Sequence, residues 1–259
     1  MSFKMRASTW EFKNRGLLIG LMFAVSFPLY AIDPQNVTAA IATRLAPLLH
    51  TNDDHVARIL FVLAALLISV AALIRTWASA YLRADIVYAE NLKTAALVAD
   101  GPYRYVRNPL YLGNVLMGIG MASMCSRVGA VVLIFLMFVF NYRLIFREES
   151  ELAAANASNA SPYGASNQSS ANATTYADYC KAVPRLFPAL TPRIASAGSA
   201  PNWSAGFKVE SWYWGFALSV WSFAATERLL PFFVILGASL ALFFLVSSSQ
   251  EKQSSQPTS

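Results

Sequence analysis

Charge is what this sequence has least of. Asp, Glu, Lys and Arg together make up 13% of its 259 residues, where a soluble domain carries about a quarter. With 56% of residues hydrophobic, that shortage excludes an ordinary globular enzyme, and the apolar content excludes a disordered chain. Cysteine is scarce as well. Cys125 and Cys180 stand alone, too few for a disulfide-stapled secreted fold, and both read as free thiols. The only histidines sit in His50-Thr-Asn-Asp-Asp-His55, a pattern that suits a solvated polar turn better than a metal centre, so no metal ligands are assigned. Phosphate-cradling glycines are missing too: Gly118-Ile-Gly120 lies inside an apolar run, without a third glycine or a preceding strand. There is no Walker loop, no H-E-x-x-H and no C-x-x-C. The first apolar stretch ends in Pro28-Leu-Tyr-Ala-Ile-Asp-Pro34 without a small-residue cleavage pattern, so no cleaved signal peptide is expected.

What the chain does have is long apolar runs. A bilayer core of about 30 Å takes roughly 20 helical residues, and on that measure six spans are expected: about Gly16–Ile32, Val56–Ala80, Pro109–Ser126, Val128–Phe146, Trp212–Thr226 and Leu229–Val246. The third and fourth form a tight hairpin, and so do the fifth and sixth around Glu227-Arg228. Basic residues orient such a map, because Lys and Arg concentrate on the cytoplasmic side. With the N-terminus inside, only Arg44, Arg58, Arg127 and Arg228 fall outside, where Asp33, Asp53, Asp54 and Glu227 balance them. The whole formal excess of +6 then lies inside. The expected fold is therefore an all-α, polytopic membrane helix bundle of about six transmembrane helices with both termini cytoplasmic. Such a charge excess belongs to membrane orientation, and no nucleic-acid partner is expected. The four Trp residues 203, 212, 214 and 221, around the fifth span, suit interface anchoring.

Four regions follow. Residues 1–74 supply two N-terminal membrane helices, 75–190 a core with a membrane hairpin and cytoplasmic segments, 191–248 a C-terminal hairpin, and 249–259 a Ser/Gln-rich disordered tail. Inside the core, Ala153–Thr175 is an Ala/Asn/Ser run with almost no apolar bulk, read as a flexible insertion. Its N-x-S/T triplets at Asn156, Asn159 and Asn172 are compositional accidents on the cytoplasmic side.

Two stretches could carry chemistry. The first is Gly101-Pro-Tyr-Arg-Tyr-Val-Arg-Asn-Pro-Leu-Tyr-Leu-Gly113. Asn108 can cap the third span, and Pro109 suits its first turn, where a missing N–H costs nothing. Free N–H groups at that helix start, with Arg104 and Arg107 close by, make an anion-friendly point. An ordinary capped helix behind a basic loop explains the same residues. The second stretch is Asn141-Tyr-Arg143-Leu-Ile-Phe-Arg147-Glu148-Glu149-Ser-Glu-Leu152. A helix descending roughly 27 Å and its partner returning as far would bring Glu148 and Glu149 back near Asn108. That juxtaposition suits a zwitterion, although the same charges could simply mark the membrane boundary and pair with one another.

As a set, these residues resemble the signature of the isoprenylcysteine carboxyl methyltransferase and phospholipid methyltransferase superfamily. The resemblance runs from the Gly-Pro-Tyr loop through Arg147-Glu148-Glu149, Tyr163-Gly164, Tyr176-x-x-Tyr179 and Val183-Pro-Arg-Leu-Phe-Pro188. It covers roughly residues 75–190. It implies an integral-membrane methyltransferase that uses S-adenosylmethionine without a Rossmann domain and acts on a lipidic acceptor, carboxylate or amine, entering from the bilayer. By position, it implies that Tyr103, Arg104, Asn108, Pro109, Tyr111, Leu112, Gly113, Glu148, Glu149, Tyr176, Tyr179, Pro184 and Arg185 bind the cofactor. It implies catalytic parts for Arg143, Arg147 and Glu148, with an arginine nearest the acceptor. The family usually has histidine where this chain has Asn108, and the link before the paired tyrosines is lengthened here by the Asn/Ser run.

The chemistry is consistent with that reading. A sulfonium brings its own activation, so a protein need mainly align the reactants and exclude water. Tyr103, Tyr105 or Tyr111 could face the sulfonium, a contact worth about 0.5–2 kcal/mol. Two other classes compete. A sterol-type membrane reductase using NADPH shares a similar helix entry but usually has an acidic residue where this chain has Asn114. A non-enzymatic scaffold or transporter would be expected to place ionisable residues within its spans, which here are nearly free of them. The absence of an endoplasmic-reticulum signal points to a bacterial inner membrane, with the site facing the cytoplasm.

Overall fold

The computed structural model describes residues 5–82, 100–157 and 176–254. Its helix boundaries follow caps and breakers in the sequence. Ser8 and Glu11 form a capping box that opens the short α1, Thr9–Lys13. Helix α2, Arg15–Ser26, stops where Pro28 forces a 3-10 turn over Phe27–Ala31. Asn36 caps α3, Val37–Leu45, and Asn52 caps α4, Asp53–Tyr81, by accepting from the His55 N–H. Helix α5, Pro109–Ala122, turns through residues 123–126 into α6, Arg127–Ala157. Then come α7, Tyr176–Ala182, α8, Trp203–Val209, α9, Ser211–Thr226, and α10, Leu229–Ser254. Among the described residues there is no strand, only one isolated bridge between Asn36 and Ser126.

Small residues let these helices approach closely. Ala64, Ile68 and Ala71 of α4 are buried and lie against α5, and Cβ atoms at Gly113 and Gly120 would collide with Arg75 and Ile68 of α4. On its other side α5 meets Met137 of α6 at Gly118. Helix α9 lies along α4, fixed by Trp214 Nε1 donating to Thr76 Oγ1 at 3.0 Å and Trp221 Nε1 to Ser69 Oγ at 3.1 Å. The α5–α6 turn is held from outside: Asn36 Nδ2 donates to the Ser123 and Cys125 carbonyls, and Asp33 pairs with Arg127 at 2.8 Å. Leu63, Leu66, Leu73, Val131, Phe135, Leu218 and Phe233 point outward and are exposed, an outer surface suited to lipid.

Among the described residues, two helices are long and apolar enough to cross a bilayer, Asp53–Tyr81 and Arg127–Ala154. Arg15–Ala31, Pro109–Ala122 and Leu229–Leu242 are apolar but shorter. The all-helical architecture expected from sequence is present in the described residues, and several details differ. Pro28 changes the helix type within the first expected span. The segment between the first two expected spans contains α3, and the His50–His55 stretch is a helix start: Asn52 is its cap, and Asp53 and Asp54 sit in the first turn, where the helix dipole favours them. The run read as an insertion begins helically, because α6 continues to Ala157 through the strong helix formers Ala153, Ala154 and Ala155. Residues 158–175 of that run, with Tyr163-Gly164, lie outside the described residues. Cys180, read as part of a polar loop, is in α7. The tail expected to be disordered is helical as far as Ser254, there being no Pro or Gly after Gly237 to break it before Pro257.

Candidate functional site

The Gly-Pro-Tyr loop takes its shape from two residues at its start. Gly101 has φ +56, and a Cβ there would run into the Tyr81 ring, so only glycine fits. Asp100, buried just before it, accepts hydrogen bonds from the Ser196 hydroxyl, the Ala197 N–H (2.9 Å) and the Ser199 N–H (2.8 Å). Burial pushes its carboxyl up, but these donors outweigh that and hold it at about 2. The segment after α7 then covers the loop strand-like, bond by bond. Arg107 N–H donates to Pro184 O, Ala189 N–H to Tyr105 O, and Arg193 N–H to Arg104 O, each at 2.9 Å. Arg104 Nε donates to Ile194 O at 2.9 Å, and the Tyr179 hydroxyl to Tyr103 O at 3.0 Å.

At the start of α5 the two glutamates return as the hairpin lengths predict. Tyr111 OH donates to Glu148 Oε1 at 2.6 Å. Asn108 Nδ2 donates to Glu149 Oε1 at 3.1 Å and to Arg185 O at 3.0 Å, and Arg185 Nε donates to Glu149 Oε2 at 2.9 Å. Arg107 Nε stands 3.5 Å from Glu149 Oε1. It makes no hydrogen bond among the described residues, and neither does the buried Tyr103 hydroxyl. Burial, then the negative fields of Tyr179 and Glu148, raise the Tyr103 phenol well above its ordinary range, so it remains a proton donor. Beside this cluster a cavity of about 330 Å³ is lined by Met5, Arg6, Phe146, Glu149, Ser150 and Arg185.

Tyr103, Asn108, Tyr111, Glu148, Glu149, Tyr179, Pro184 and Arg185 are thus brought together, with Pro109 buried at the helix start and Tyr176 buried beside Tyr179. Arg104 anchors the covering segment. The remaining residues are placed as follows. Asn108 holds the N-cap position but makes no side-chain cap bond, because its amide is drawn to Glu149 and Arg185 O. Leu112 is buried in the core, and Gly113 faces Arg75 of α4. Arg143 and Arg147 turn toward the N-terminal segment: Arg143 Nη2 meets the Glu11 carboxylate at 2.8 and 2.9 Å, and Arg147 Nη1 donates to Ala7 O and Thr9 Oγ1, both at 3.2 Å.

One turn deeper on α5 lies a second polar layer that sequence reasoning missed. Arg75 of α4 and Glu210, at the junction of α8 and α9, form a buried fork: Nε to Oε2 at 2.6 Å and Nη2 to Oε1 at 3.1 Å. Ser79 Oγ donates to Glu210 Oε1 at 2.6 Å. Arg75 Nη1 donates to Leu110 O (2.9 Å) and Asn114 Oδ1 (2.8 Å), and its guanidinium lies 4.0 Å from the centre of the Tyr213 ring, whose hydroxyl also donates to Asn114 Oδ1. Asn114 Nδ2 reaches Asn141 Oδ1 at 2.9 Å. The expectation that the apolar bundle is nearly free of ionisable residues therefore fails at its cytoplasmic end as assigned from sequence. The available signal was Asn114 and Asn141, polar residues inside apolar helices that need a partner.

Comparison with known proteins bears on this arrangement. Residues 59–156 match the family model described as phospholipid methyltransferase. Over that segment the chain is similar to this family, and the class this similarity supports is a membrane methyltransferase. The chain is similar to the cobalt-zinc-cadmium resistance protein CzcN of Cupriavidus metallidurans, 26% identical over 185 residues, which cover 71% of this chain and 72% of that protein. It is also similar to the nickel-cobalt-cadmium resistance protein NccN of Alcaligenes xylosoxydans xylosoxydans, 24% identical over 140 residues, which cover 54% of this chain and 55% of that one. No solved structure matches significantly.

Proposed function

We propose that this chain is a multi-pass membrane enzyme that transfers a methyl group from S-adenosylmethionine to a lipidic acceptor, at a site near the cytoplasmic face of a bacterial inner membrane. The observation that carries the reading is the convergence at the start of α5. Two carboxylates stand beside two buried donors, Tyr103 OH and Arg107 Nε, that lack hydrogen-bond partners among the described residues. Buried polar atoms are almost always satisfied, so unsatisfied donors next to paired carboxylates suit a ligand carrying both charges. S-adenosylmethionine fits that donor set: Glu148 and Glu149 for its amine and sulfonium side, and Arg107 and Tyr103 for its carboxylate. When bound, it supplies an electrophilic methyl group.

The chain's own residues do the rest. Tyr111 fixes the Glu148 carboxylate, and Asn108 and Arg185 fix Glu149, so neither has to reorganise as charge moves. Segment 176–199 closes over the loop and keeps water out. The cavity between Phe146, Met5 and the cations Arg6 and Arg185 is the place for an acceptor with an apolar body and an anionic head. The two relatives are named for metal resistance. If this chain serves such a system, its site offers group transfer to a membrane component. The test is calorimetric titration of the purified chain in nanodiscs with S-adenosylmethionine and, separately, NADPH, followed by labelling of membranes with methyl-labelled cofactor. Saturable binding of the first and a labelled lipid are expected; binding of NADPH alone would transfer the assignment to the reductase class.

A further inference from the structure

The structure assigns to Glu210 the part of a positioning residue: through Arg75, it sets the first turn of α5, which holds the candidate site. This rests on the reading of that site as a cofactor site. The sequence neighbours of Glu210 lie in the C-terminal region, outside the matched segment 59–156, yet its carboxylate is fully buried, 0% exposed, against an Arg75 side chain that is 7% exposed.

Three features make the contact directional. First, Arg75 divides its guanidinium. One edge engages Glu210 with both nitrogens, while Nη1 donates to the Leu110 carbonyl, which lies between Asn108 and Tyr111 in sequence. Bidentate charged pairs hold a defined orientation, so the place of Glu210 fixes where Nη1 points. Second, helices α5 and α6 are joined by two polar rungs. Tyr111–Glu148 is in the site, and Asn114–Asn141 is deeper. Residues three apart on a helix share a face, so the deeper rung sets the register of the upper one. Arg75 and Tyr213 both hold Asn114 Oδ1, and Tyr213 follows Glu210 by a single turn. Third, nothing has slack: the Arg75 stem lies against Gly113, where even a Cβ would collide. Trp214–Thr76 and Trp221–Ser69 pin α9 to α4, so the C-terminal hairpin is the brace from which Glu210 acts.

The test compares the full chain with Glu210→Gln, Tyr213→Phe and, as control, Arg58→Ala, which breaks an exposed pair with Glu227 and a 3.4 Å bond to the Ala225 carbonyl at the far end of α4. In nanodiscs, hydrogen exchange of the peptide covering 108–114 is followed beside that of 117–122, and S-adenosylmethionine affinity is titrated. The expected result is at least tenfold faster exchange in 108–114 for Glu210→Gln, a smaller change for Tyr213→Phe, unchanged exchange in 117–122, and roughly tenfold weaker binding. Should Glu210→Gln fail to fold, Tyr213→Phe keeps the ring, releases Asn114 Oδ1 and should still speed exchange in 108–114 and not in 117–122, by the smaller amount. Unchanged exchange in 108–114, or equal loosening along the whole of α5, would overturn the assignment. A wild-type chain without saturable cofactor binding would overturn the methyl-transfer reading instead, and the exchange comparison would still decide the role of Glu210.

Discussion

Asn114 and Tyr111 are one turn apart on α5, and their surroundings differ in kind. Around Asn114 the polar atoms answer one another: Arg75 uses both edges, Glu210 takes three hydrogen bonds, and Asn114 and Asn141 pair across the hairpin. Around Tyr111 the carboxylates are held too, but Tyr103 OH and Arg107 Nε are buried without a hydrogen-bond partner among the described residues. A closed network of buried polar groups rigidifies and specifies one arrangement. Unanswered donors beside it cost stability that a ligand can restore. The deep layer thus reads as scaffold and the shallow layer as site.

Substitutions can break or sharpen this contrast. The largest effect belongs to the deep layer. Arg75→Met leaves the Glu210 carboxylate buried and unpaired, and should destabilise the chain by about 3–5 kcal/mol in denaturant unfolding in detergent. Adding Glu210→Leu should recover most of that loss, because a matched apolar pair removes the uncompensated charge. A double variant as unstable as the single one would show that the pair is not acting as a unit.

Next comes Asp100, whose carboxyl is held at about 2. Its folded value is below the unfolded one of about 3.9, so its contribution is present above pH 4 and is lost as pH falls toward 2. That contribution is up to about 2 kcal/mol. Asp100→Asn should therefore flatten the stability profile between pH 4 and 2, read by thermal unfolding. Gly113→Ala should cost about 1–3 kcal/mol by forcing the Arg75 stem aside.

The shallow layer should behave the other way round. Glu148→Gln and Asn108→Ala should change unfolding by less than about 1 kcal/mol while weakening S-adenosylmethionine binding at least tenfold in titration. A loss of stability as large as that for Arg75→Met would erase the distinction. Smallest of all is Arg58→Ala, an exposed pair worth about 0–1 kcal/mol.

Much of this was legible in the chain. The Asn108–Glu149 and Tyr111–Glu148 contacts follow from two expected apolar spans of similar length, about 109–126 and 128–146, since a tight hairpin must bring its ends together. The Gly-Pro-Tyr loop and its covering segment were visible as one ordered signature. The reversal at Asn108 was not legible, because a capping side chain and one drawn to Glu149 look alike in sequence. The contacts of Arg143 and Arg147 were not legible for a similar reason. Helical spacing puts them on one face, but only the folded chain shows that face occupied by Ala7, Thr9 and Glu11.

The sequence by itself determined the helical class, the apolar character, the hairpin and the residues at its open end, because periodicity, helix breakers and spacing are local properties. Only the tertiary structure decided that Arg75 and Glu210, which are 135 positions apart, are one buried pair, and that a hairpin outside the matched family segment braces the site. A buried charge must find its opposite in three dimensions, and no local pattern records where that partner lies.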